Sequence, residues 1–94
     1  MLTHDEIRNA IAKTAERHPI KKASYFGSYA DGRATQGSDL DLLIEFYKPR
    51  VSLFMLSAVK IDIEDQLKVP VDVVRAPLPD GAIIEPQRVV PVYG

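Results

Sequence analysis

The sequence predicts an α+β fold, a small mixed β-sheet of three or four strands with helices packed on one face. Three observations carry that expectation. Apolar residues recur at helical spacing near the N-terminus and again in the middle of the chain, Asp39–Phe46 alternates apolar and polar residues, and Val69–Val74 is a short apolar run entered at a proline. Ninety-four residues suffice for one domain, taken as 1–94, and leave no room for a separate substrate-binding domain. A composition of 46% hydrophobic and 27% charged residues is that of a globular chain, neither disordered nor embedded in a membrane.

Thr3 and Glu6 have the spacing of a reciprocal helix-start pair, and Leu2 and Ile7 that of the accompanying hydrophobic staple. Ile7, Ala10, Ile11, Thr14 and Ala15 then mark one face of a helix over about residues 4–17. Pro19 stops it, and Lys22–Phe26 reads as a strand running into Gly27. From Gly27 to Gly37 small and polar residues form a loop, with one helical turn at Tyr29, Ala30 and Asp31. In the strand Asp39–Phe46, Leu40, Leu42, Ile44 and Phe46 share one face, and the opposite face begins with two carboxylates.

Pro49 closes that strand. Ser52–Leu67 is expected as a second amphipathic helix, with Leu53, Leu56, Val59, Ile63 and Leu67 inward and Lys60, Asp62, Glu64, Asp65 and Lys68 outward. Tyr25, Phe26, Phe46 and Phe54 are assigned to the core. Beyond residue 76 the density of Pro and Gly predicts an irregular connection before a terminal strand at Val89–Tyr93.

The chemistry lies in a combination: Phe26-Gly27-Ser28, then ten residues, then Asp39-Leu40-Asp41 in a strand, then Asp72 in a later strand. Alternation puts Asp39 and Asp41 on one strand face, where two ionised carboxylates repel unless positive charge joins them. Oxygen-only donors suit a hard cation, so Mg²⁺ is the expected metal at Asp39 and Asp41, and if the later strand lies beside theirs Asp72 adds a third carboxylate that holds a second ion or takes a proton. Gly27 admits the backbone close to a phosphate, and Ser28 adds a hydroxyl beside backbone N–H groups. Two ions could stabilise the attacking and departing oxygens of a phosphoryl or nucleotidyl transfer, with ATP or another nucleoside triphosphate as substrate.

Other chemistries find little support. With no cysteine there is no disulfide, thiolate nucleophile or thiolate zinc site. A net charge of −1 argues against a nonspecific grip on nucleic acid. The N-terminal segment lacks the pattern of a secretory leader and no long apolar run is present, so a cytoplasmic location away from membranes is expected. His4 and His18 fall near the ends of the first helix and are given no metal role. Glu45 shares the parity of Asp41 but stands roughly 13 Å farther along the strand, too far for the same metal. Lys21, Lys22, Arg33, Lys48 and Arg50 are read as solvated surface.

Gly27-Ser28-Tyr29-Ala30-Asp31-Gly32, followed by Ser38-Asp39-Leu40-Asp41-Leu42, resembles the signature of the polymerase-β-like nucleotidyltransferases, especially their minimal members. The resemblance implies the nucleotidyltransferase fold, nucleotide binding at Gly27, Ser28 and Ser38, and catalytic metal binding at Asp39, Asp41 and Asp72. Where the family often carries an arginine, this chain has Asp31, with Arg33 two residues on. Minimal members commonly pair with HEPN-domain toxins as antitoxins, and some transfer AMP to a tyrosine of the toxin. That implies a protein adenylyltransferase in a hetero-oligomer with such a partner. The alternative is an antitoxin that neutralises its partner by binding alone.

Overall fold

The computed structural model describes residues 1–76 and 88–94. Its elements are α1 (His4–Ala15), β1 (Ile20–Phe26), β2 (Leu40–Phe46), α2 (Leu53–Leu67), β3 (Val71–Ala76) and β4 (Val90–Tyr93). The strands form one sheet in the order β3-β2-β1-β4. β1 runs antiparallel to β2 and β4, whereas β2 and β3 are parallel, so the sheet is mixed as predicted. Parallel neighbours need a crossover connection, and α2 provides it.

The start of α1 is the expected reciprocal cap. Thr3 Oγ1 accepts from the Glu6 N–H at 3.1 Å, and Glu6 Oε1 accepts from the Thr3 N–H at 3.1 Å. The helix ends at Ala15, two residues earlier than expected, because Arg17 N–H turns back to the Thr14 carbonyl at 3.0 Å and tightens the last turn. β1 begins earlier than predicted, since Ile20 pairs with Phe46 ahead of an irregularity at Lys21 and is itself buried. β3 is shifted two residues towards the C-terminus, starting at Val71 once Pro70 has passed. At the far edge Pro91 is tolerated in β4, where a missing N–H leaves no inner ladder broken. The irregular connection expected after residue 76 falls mostly outside the described residues.

β2 is the axis of the core. Leu40, Leu42 and Ile44 are fully buried on the helix-covered face and meet Ile7 and Ile11 of α1 and Val59 and Ile63 of α2. Each such side chain contributes about 1.5–3 kcal/mol by leaving water. One buried polar group ties the helices together: Thr14 Oγ1 donates to the Ala10 carbonyl at 2.9 Å and accepts from Gln66 Nε2 at 3.0 Å. Asp62 joins the same seam, accepting from Arg17 Nη2 at 3.1 Å.

α2 corrects the sequence reading at four residues. Leu53, expected on the inward face, is 82% exposed, and Phe54, expected in the core, is 86% exposed. The helix is rotated so that Val59 and Ile63 face the sheet. Asp62 and Glu64, expected in solvent, instead bond to the Arg17 side chain of the α1–β1 turn and to the start of β3. Nearly continuous apolar residues in the first turns left the helical phase undetermined, and the inward polar anchors fix it. No described helix is long and apolar enough to cross a membrane.

α2 terminates at Lys68, whose φ of 59° is left-handed and whose N–H bonds the Glu64 carbonyl at 2.7 Å. Glycine carries no penalty there. Lys68→Gly is therefore expected to raise the unfolding free energy by about 0.5–1 kcal/mol, read from urea denaturation.

Candidate active site

The face of the sheet away from the helices carries the acids at one end. Pleating that buries Leu40 and Leu42 turns Asp41 to the opposite side, where it is half-buried. Pairing then sets its neighbours: across β1 it meets Phe26, the residue before Gly27, and across β3 it meets Asp72. The parallel ladder starts where the Leu40 N–H reaches the Pro70 carbonyl at 2.9 Å. Glu64 Oε2 accepts the Val71 N–H at 2.9 Å, so the end of α2 fixes the backbone immediately before Asp72. Asp39 lies exposed just ahead of β2.

The Asp41 carboxyl is held above the usual carboxylate range, first by burial, then by the charges of Asp72 and Asp39, and by a hydrogen bond with Asp72. All four causes favour the protonated form. Among the described residues no three acidic or imidazole side chains are already closed around a cation position. Mg²⁺ does not require such a cage, since it binds through one or two carboxylates and completes its shell with water and substrate phosphate. The donor set therefore fits that ion, and a cation would relieve the repulsion on Asp41.

Gly27 is the other half of the geometry. Its φ is +71°, and a Cβ added there would collide with Asp41 Oδ2 and stand 3.3 Å from Asp41 Cγ. Glycine suits the left-handed φ and leaves room for the carboxylate directly against the backbone, whereas any side chain would force Asp41 to shift. The turn continues with the Asp31 N–H on the Gly27 carbonyl at 3.0 Å and the Arg33 N–H on the Ser28 carbonyl at 2.9 Å, the single helical turn that was predicted. Ser28 is partly buried within it. Ser38 Oγ accepts the Thr35 N–H at 2.8 Å and lies 3.3 Å from Thr35 Oγ1, which closes the loop. Arg33 is drawn to Asp31 at 2.8 Å, and Glu45 to Lys21 at 3.3 Å. His4, given no metal role, bonds the Tyr25 hydroxyl through Nδ1 at 2.8 Å and anchors α1 to β1.

Sequence reasoning missed what lies beside the acids. A cleft of about 530 Å³ is lined by Asp41 and Asp72 together with Phe26, Val73 and Val74 of the sheet and Leu53, Leu56, Ser57 and Lys60 of α2. Two carboxylates thus border an apolar shelf with one lysine. The helical residues carried no signal, because their placement depends on the rotation of α2 around the β3 edge.

Residues 7–90 match the model of the nucleotidyltransferase domain family. The chain belongs to this nucleotidyltransferase family. A Methanocaldococcus jannaschii protein named as a protein adenylyltransferase is 35% identical over 78 residues, covering 79% of each chain. Among solved structures, a toxin–antitoxin complex with AMP-PNP superimposes with a TM-score of 0.77 at 18% identity, covering 93% of this chain and 73% of the other. A complex of a tri-AMPylated Shewanella oneidensis HEPN toxin with its MNT antitoxin gives a TM-score of 0.71 at 14% identity, covering 98% of this chain and 73% of the other. At such identities the likeness establishes the nucleotidyltransferase fold.

Two predictions follow from the packing of this nucleotidyltransferase around Asp41. Gly27→Ala combines a left-handed φ with the collision at Asp41, and is expected to lower the unfolding free energy by about 1–2 kcal/mol and to weaken Mg²⁺-nucleotide binding measured by calorimetry. In the metal-free protein, a carboxyl whose folded pKa is raised contributes stability that is present below its unfolded pKa and lost as pH rises through the folded value. Asp41→Asn should therefore melt higher than wild type at pH 7 without metal, with the gap closing as the pH falls below the usual carboxylate range. Equal melting temperatures at pH 7 would contradict this.

Proposed function

We propose that this chain is a Mg²⁺-dependent protein adenylyltransferase that moves AMP from ATP to a tyrosine hydroxyl of a HEPN-domain toxin and so acts as its antitoxin. The carrying observation is the packing of Asp41 between Gly27 and Asp72, which sets a backbone turn able to approach phosphate directly against two paired carboxylates. Asp39, Asp41 and Asp72 are the residues that would hold Mg²⁺. The ion supplies charge neutralisation and orientation of phosphate oxygens. Gly27, Ser28 and Ser38 would cradle the departing pyrophosphate, Ser28 and Ser38 by hydroxyl donation. Asp72, exposed at the mouth, accepts the proton of the acceptor hydroxyl as that oxygen bonds to the α-phosphorus and pyrophosphate leaves. The reading takes the whole chain as one catalytic domain, working in the cytoplasm in a hetero-oligomer with the toxin, without membrane or nucleic acid. The names carried by the relatives support the acceptor class.

The test uses ATP labelled at the α-phosphate, Mg²⁺ and the HEPN-domain protein that this reading expects from the adjacent gene. Wild type should label the partner, chelation by EDTA should abolish labelling, and Asp39→Ala or Asp41→Ala should reduce it by a factor of about 10² or more. Undiminished labelling by both variants would refute the mechanism. Full neutralisation of the toxin by an unlabelling double variant would favour an antitoxin that works by contact alone.

A further inference from the structure

α2 is apolar nearly all the way round in its first three turns, a pattern that belongs to a helix covered on both sides. Among the described residues only one side is covered. Leu53, Phe54 and Ile61 are 82%, 86% and 57% exposed on the side away from Val59 and Ile63. With Ser57 and Ala58 between them they line a shallow groove, and among the described residues no element packs on it. The groove is continuous with the acid-bearing cleft, since Leu53 and Ser57 line both.

We infer that this stripe is the docking surface for the protein acceptor, receiving an apolar helix face of that polypeptide and delivering its hydroxyl into the adjoining cleft. The inference rests on the adenylyltransferase reading for the identity of the occupant. Three features favour an acceptor over a second copy of this chain. The stripe spans about 12 Å of helix, too little surface for the about 800 Å² per partner that a stable interface buries. The apolar surface that adjoins it is the cleft wall, formed by Leu56, Val73 and Phe26, so a partner large enough to bind must extend towards Asp72. A symmetric pairing of two such helices would instead cover the cleft mouth at Leu53 and Ser57 and exclude any macromolecular acceptor. Phe54 and Ile61 stand seven residues apart, the i, i+7 spacing of apolar anchors on one helix face laid against a partner.

Phe54→Ser and Ile61→Ser, singly and together, test this, because both side chains are exposed, remove no core contact and do not line the acid cleft. AMP transfer is measured to two acceptors, the intact HEPN-domain protein and a short tyrosine peptide supplied at saturating concentration. The double variant should raise KM for the protein acceptor about tenfold or more while its transfer to the peptide stays within about twofold of wild type. An unchanged KM for the protein acceptor would overturn the inference, and so would a wild-type dimer that the double variant splits without altering acceptor kinetics. A fall in melting temperature with unchanged KM would assign the stripe to an intrachain contact and also overturn it. If wild type labels neither acceptor, the adenylyltransferase reading fails by itself, and the stripe is then judged by sedimentation with the HEPN-domain protein. Loss of that complex in the double variant would uphold the surface, and its persistence would reject it.

Discussion

Asp41 stands on β2, the inner strand of the parallel pair, with a glycine against one of its oxygens and a second carboxylate across the ladder. This crowding of like charge constrains much of the molecule. It requires a residue without Cβ at position 27, an exact parallel register between β2 and β3, and an entry to β3 that does not slip. A one-residue slip would carry Asp72 to the helix-covered face and Val71 or Val73 to the acids. The Val71 N–H bonded to Glu64 resists that slip, so the C-terminal turn of α2 contributes to the site without touching it.

The core carries the repulsive arrangement. Leu40, Leu42 and Ile44 alternate with Asp41, Leu43 and Glu45, so the pleat that seals the core is the one that presents the acid. Stability and chemistry are read from opposite faces of seven residues. Burial of the apolar face supplies the free energy that holds a half-buried carboxyl beside another. A cation bound there would offset that local cost.

α2 shows a different division of labour. Its inward residues close the core, its polar residues Asp62 and Glu64 secure α1 and β3, and its outward turns remain apolar. The acid-lined cleft and the apolar stripe share Leu53 and Ser57, so the two lie within one helix width of each other.

Local rules made the sheet strands, the Thr3 cap, the glycine turn and the three candidate acids legible, because alternation, capping and positive φ are properties of a few neighbouring residues. Asp39 and Asp41 are two residues apart at the start of one strand, Asp39 just ahead of it, so their common end of the sheet followed from spacing. The sequence by itself could not decide which strand lies beside β2, since pairing joins residues 31 positions apart and is settled by where α2 returns the chain. Nor could it phase α2: with apolar residues at 53, 54, 56, 59, 61 and 63, several rotations bury similar area, and hydrogen bonds to Arg17 and Val71 select one. The sequence determined which groups can do chemistry, and the tertiary structure decided which of them meet, because contact across a sheet depends on chain topology rather than on spacing.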